Sequence, residues 1–133
     1  MSINVLTYGS FDTLHYGHIN FLTGAKSYGD RLFVGLSTDL FMERAKKKTP
    51  FLPYEKRYEI LSAVGCVDYI FPEECIMQKE NDIKKFDIDA LVMSKEWQNK
   101  FDYLKKFCNV FYLERTPGIS STLIKSNIIN QRF

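Results

Sequence analysis

Both histidines of this chain, His15 and His18, lie in one ten-residue stretch, GSFDTLHYGH (9–18), directly behind an apolar run. A second stretch, ERTPGISSTLIK (114–125), sets Arg115 behind another apolar run and Ser120, Ser121 and Thr122 behind a Pro-Gly turn. Both read as loops opening helices. A helix start presents unpaired backbone N–H groups and partial positive charge, so it favours anions. Gly9 lets backbone approach a ligand closely, and His15 and His18 can donate to the same phosphate. Arg115 suits bidentate phosphate recognition. The alternative at the first loop is that Asp12 or Ser10 caps the helix and the histidines are solvated. Zinc is disfavoured, because neither a third His nor a paired Cys accompanies His-x-x-His.

The elements that must position these loops follow from short apolar runs alternating with amphipathic stretches. Strands are expected at 3–8, 31–37, 67–71, 89–94 and 109–114, with Pro72 ending the third. Helices are expected at 16–28, from 38 into the Lys46–Lys48 run, where the helix gives way to a loop, at 54–65 ending at Gly65, and at 78–86, 97–107 and 120–130. Along 54–65, Tyr54, Tyr58, Leu61 and Val64 share one face. Continuously apolar strands separated by helices predict an α/β fold, a Rossmann-like doubly wound sandwich around a five-stranded parallel sheet. Ligands of such sheets bind beyond the carboxyl ends of the strands, near the switch in strand order. Gly9–His18, Ser37–Asp39, Ser94–Trp97 and Arg115–Ser121 all fall there.

Composition narrows the function classes. At 133 residues the chain reads as a single domain, 1–133. Its 45% apolar and 26% charged residues are those of an ordinary globular protein, and a net charge of +2 gives no footing for nucleic acid. Cys66, Cys75 and Cys108 form no CxxC, which fits reduced thiols in the cytoplasm. The start, MSINVLTYGSFD, reads as neither a signal peptide nor a membrane span.

GSFDTLHYGH, RYEILSAVGCVDYIFPE and RTPGISSTLIK, in that order, resemble the cytidylyltransferase family, within the broader HxGH nucleotidyltransferases. The resemblance runs on through STDLF and WQNKFD to nearly the whole chain. It implies transfer of a cytidylyl group from CTP to sn-glycerol 3-phosphate or a close phospho-polyol. The products would be a CDP-alcohol and pyrophosphate, for teichoic acid or capsule precursors. By that resemblance His15, His18, Lys46 and Arg115 act in transfer. Gly9, Ser10, Phe11, Lys48, Glu96, Thr116, Ile119, Ser120 and Ser121 join His15, His18 and Arg115 around the nucleotide. Asp12, Asp39, Lys46 and Arg57 serve the acceptor or support the site. Mg²⁺ is expected to be held through the phosphates rather than by direct protein ligation, and a homodimer is expected.

Three positions depart from the family pattern: Gly65-Cys66 replaces an Arg–Tyr pair, Ser94-Lys95-Glu96-Trp97 replaces Gly-Asp-Asp-Trp, and Ile76 stands where an aromatic is usual. An adenylyltransferase with the same loops, or a nucleotide-binding module without catalysis, are the competing readings. The pairing of two imidazoles at one helix mouth weighs against the second.

Overall fold

The computed structural model describes residues 2–114. Among them five strands, β1 (Asn4–Gly9), β2 (Arg31–Ser37), β3 (Tyr69–Glu73), β4 (Ala90–Ser94) and β5 (Asn109–Leu113), form one parallel sheet in the order β3-β2-β1-β4-β5. The chain builds outward from β1 to β2 and β3, then returns across the sheet to add β4 on the other side of β1. The switch in strand order therefore lies between β1 and β4, as the sequence predicts for a doubly wound sandwich.

Side-chain alternation along the strands divides the core into two layers. Val5, Leu32, Val34, Leu36 and Val92 pack with Leu22 and Ala25 of α1 (Tyr16–Lys26) and Leu61 of α3 (Tyr54–Ser62). Leu6, Tyr8, Phe71, Leu91 and Met93 face the other way, against Ile83 of α4 (Lys79–Lys85) and Leu104. Leu22 and Leu104 are completely buried. Truncating either to Ala removes about 2–5 kcal/mol of stability.

Several sequence expectations shift. β3 runs through Pro72 to Glu73, with Pro72 opposite Leu36 in register. Proline is tolerated there because β3 is an edge strand, which has one side needing no N–H donor. The helix expected at 97–107 is replaced by two 3-10 turns, Lys95–Trp97 and Asp102–Lys106. Between them Asn99 adopts a left-handed conformation at φ 68°, which a continuous helix cannot contain. α3 ends at Ser62 rather than near Gly65, and its buried residues are Arg57 and Leu61, whereas Tyr58 is exposed. The second helix, α2, is Asp39–Ala45. The last predicted helix, 120–130, lies outside the described residues.

Candidate active site

A cleft of about 770 Å³ opens over the carboxyl ends of β1, β3 and β4. Tyr8 and Gly9 from β1, Glu73 from β3, and Met93 and Ser94 from β4 reach it. Gly9 is required where Phe11 folds back over it, since a Cβ there would sit 2.8 Å from the Phe11 ring. Gly35 of β2 does the same for Tyr8, whose ring occupies the space a side chain at 35 would fill.

The histidines resolve the question raised by their spacing. Neither Ser10 nor Asp12 caps α1; His15 is itself the N-cap residue. Its Nδ1 accepts the Gly17 N–H at 3.1 Å, and His18 Nδ1 accepts the His15 N–H at 3.2 Å. This reciprocal capping box stacks the two rings, with centroids 3.8 Å apart and planes 20° off parallel. An Nδ1 that accepts carries no proton, so the proton of each neutral ring sits on Nε2. Both rings line the cleft. His15 Nε2 is buried, where low local dielectric strengthens a hydrogen bond to an anion. One pair of imidazoles thus starts the helix through one nitrogen each, with both rings in the cleft wall.

Asp12 has a different task. Its carboxylate accepts the N–H groups of Phe51 at 2.7 Å and Leu52 at 3.0 Å, fastening the loop after α2 to the loop after β1. Phe11 and Thr13, on either side of it, take left-handed backbone conformations at φ 45° and 57°. Such conformations are uncommon outside glycine and persist where surrounding contacts impose them.

The lysine run is sorted by the end of α2. Lys46 and Lys48 both donate their backbone N–H to the Met42 carbonyl, and Lys47 between them is left-handed at φ 56°. Lys46 and Lys48 consequently line the cleft, and Lys47 does not. Lys46 Nζ donates to Ser37 Oγ at 2.8 Å and to Ser10 Oγ at 3.1 Å. Burial lowers the Lys46 ammonium from its ordinary value, and the Glu73 carboxylate opposes that shift.

Arg57 and Asp39 stand behind the cleft rather than in its lining. The Arg57 side chain is fully buried; it donates to the carbonyls of Leu52, Ser10 and Ser37 and to Asp39 Oδ1 at 2.6 Å. One guanidinium thereby joins the loops after β1, β2 and α2.

Glu96 lines the cleft with Trp97, Lys100 and Phe101. Arg115, Thr116, Ile119, Ser120 and Ser121 lie outside the described residues. Sequence reasoning missed Glu73 and Lys79, which line the same cleft. Glu73 stands behind a proline that reads as a strand end, and Lys79 opens a helix that reads as polar surface. In the fold, Lys79 Nζ meets Glu73 Oε2 at 3.1 Å and lies over the rings of Tyr8 and Phe101. Tyr8 Oη donates to Asp82 at 2.7 Å, and burial followed by that contact drives its pKa far upward, so it stays a neutral donor.

The buried carboxylates of the cleft, Asp12 and Glu73, are committed to backbone N–H groups and to ammonium groups. With His15, His18, Lys46, Lys48, Lys79 and Lys100 around it, the donor set suits phosphate, and a divalent ion carried on phosphate oxygens fits it. Among the described residues no three His, Cys, Asp or Glu side chains gather as a metal site. No helix of these residues is long and apolar enough to cross a membrane.

The family model for cytidylyltransferase-like proteins matches residues 6–127. The chain belongs to this family. Among its relatives is a glycerol-3-phosphate cytidylyltransferase of Staphylococcus aureus, 48% identical over 93% of this chain and 93% of that protein. The enzyme of the same name from Bacillus subtilis is also 48% identical, over 93% of this chain and 95% of its own length. In fold the chain is similar to a lipopolysaccharide core biosynthesis protein of Thermoplasma volcanium. That likeness has a TM-score of 0.72 and 24% identity, covering 87% of this chain and 99% of the other. For a cytidylyltransferase-like protein the placement of the cleft at the β1/β4 switch is the one the fold dictates.

Proposed function

We propose that this protein transfers a cytidylyl group from CTP to sn-glycerol 3-phosphate, yielding CDP-glycerol and pyrophosphate. The observation that carries phosphate transfer is the stacked His15–His18 pair, its Nδ1 atoms fixed by backbone, in a lysine-rich cleft at the sheet switch. The nucleotide and the acceptor are those in the names of the two bacterial relatives.

An oxygen of the acceptor phosphate attacks the α-phosphorus of CTP in line. The new P–O bond forms as the bond to the β-phosphate bridge breaks, and pyrophosphate leaves with the bonding pair. No side chain is asked to form a covalent bond, so catalysis is positioning and charge stabilisation. The Nε2–H groups of His15 and His18 donate to the oxygens that gain charge, and Lys46 and Lys48 steady the triphosphate. Arg115, Thr116, Ile119, Ser120 and Ser121 hold nucleotide and the distal phosphates, and Ser10, Phe11 and Glu96 complete the nucleotide contacts. Mg²⁺, when bound on the phosphates, offsets their charge. The enzyme works in the cytoplasm as a homodimer, and its product feeds cell-surface polymer synthesis of the teichoic acid or capsule type.

Pyrophosphate release with Mg²⁺, glycerol 3-phosphate and each ribonucleoside triphosphate in turn tests the proposal. Release with CTP alone is expected. Preference for ATP would overturn the nucleotide assignment in favour of an adenylyltransferase. Silence with all four, despite CTP binding, would overturn the acceptor.

A further inference from the structure

Glu73 is 3% exposed at the end of β3, yet it lines the cleft. Its two oxygens face different cations: Oε2 holds Lys79 Nζ at 3.1 Å, and Oε1 lies 3.8 Å from Lys46 Nζ. The Ser37 hydroxyl bridges the longer gap, donating to Oε1 at 2.8 Å while accepting from Lys46 at 2.8 Å. The two cations are held unequally. The Lys79 side chain is 6% exposed, fixed by Glu73 and by the faces of Tyr8 and Phe101. Lys46 is 29% exposed and touches the carboxylate only at salt-bridge range.

We propose that Glu73 is a positioning residue for the transfer reaction: its carboxylate fixes Lys79 in the cleft floor and keeps Lys46 charged and loosely tethered, ready to turn onto an incoming phosphate. This rests on the phosphate-transfer reading above. Burial favours loss of the Lys46 proton and the Glu73 carboxylate opposes it, while one carboxylate between two lysines leaves the floor with net positive charge. The other charged or titratable groups facing this cluster are Lys48, Arg57 with its partner Asp39, and Tyr8, behind which lie Asp82 and Cys108. Among them Glu73 is the acid whose charge most strongly keeps Lys46 protonated.

Glu73→Gln keeps the shape and an oxygen for Ser37 while removing the charge. Turnover is expected to fall about 10- to 100-fold, with the KM for CTP changed far less, as misplacement of a reacting group does. The alkaline limb of the rate profile should move to lower pH, because Lys46 then deprotonates earlier. Glu73→Asp, which restores the charge, should bring that limb back. In a Lys46→Met background Glu73→Gln should cost much less than it does alone, the sign of two residues acting through one another. In the free protein, NMR of ¹³C-labelled lysine should show Lys46 titrating at lower pH in Glu73→Gln. That readout needs no turnover, so it separates a failure of this proposal from a failure of the assigned reaction. If Glu73→Gln folds poorly, Glu73→Asp alone still decides, with reduced turnover and an unmoved alkaline limb expected. Full turnover in either variant, an alkaline limb unmoved by Glu73→Gln, or a Lys46 titration indifferent to it would overturn the proposal.

Discussion

The His15 and His18 rings stack 3.8 Å apart, and each accepts through Nδ1 a backbone N–H of the helix start they share. In the proposed reaction, capping and phosphate contact fall to different nitrogens of the same ring, and substitutions can separate them. Asn offers an acceptor close to the Nδ1 position and is itself a favoured N-cap residue. His15→Asn and His18→Asn should retain melting temperature while lowering turnover by about two to four orders of magnitude. His15→Ala should lose similar turnover and, in addition, about 1 kcal/mol of stability from the missing cap. Turnover near wild type in either Asn variant would remove the imidazoles from the mechanism.

Asp12 ties the loop carrying the lysines to the loop carrying the histidines. Asp12→Ala strips both acceptors from Phe51 and Leu52, at about 1–3 kcal/mol for each polar group left unsatisfied. Hydrogen exchange at those two amides should accelerate strongly, and CTP should bind more weakly as Lys46 and Lys48 lose their fixed approach. Unchanged exchange at Phe51 and Leu52 would contradict the tether.

Arg57 has a fully buried side chain and serves three loop carbonyls besides Asp39. Arg57→Met should lower stability by roughly 3–5 kcal/mol through unpaired carbonyls and lost packing. Arg57→Lys should recover little of it, because a single ammonium cannot reproduce the forked geometry. Urea midpoints of the two variants against wild type make the comparison.

Asp68 stands just before β3 and accepts from Lys26 at 2.6 Å and from the Leu32 N–H at 2.8 Å. Burial alone would raise its pKa, but these hydrogen bonds outweigh it and the net shift is downward. A carboxyl held lower in the folded than in the unfolded chain stabilises the fold above its ordinary range. That contribution disappears as pH falls through the lowered folded value. Between pH 7 and about pH 3 the wild type should lose stability more steeply than Asp68→Asn. Parallel curves over that range would show that Asp68 makes no such contribution.

Much of the architecture is legible in the chain itself. Continuous apolar runs give the parallel sheet, and Gly9, His15 and His18 mark the helix mouth that lines the cleft. These are local signals, set by residue types within a few positions of each other. The lysine run is half legible: its charge is plain, but only the left-handed Lys47 decides that Lys46 and Lys48 enter the cleft while their neighbour does not. The family resemblance marks Arg57 only as serving the acceptor or supporting the site, and the carbonyls of Leu52 and of Ser10 and Ser37, the last two distant in sequence, make it a clamp. Glu73 and Lys79 carry no local mark at all. Glu73 meets Ser37 across 36 residues of sequence and Lys79 beneath the Tyr8 ring only once β3 is laid on the sheet edge. Sequence fixes what periodicity and turn chemistry can express; which buried charges answer one another is decided by strand order, because low-dielectric pairing depends on distance in space and not along the chain.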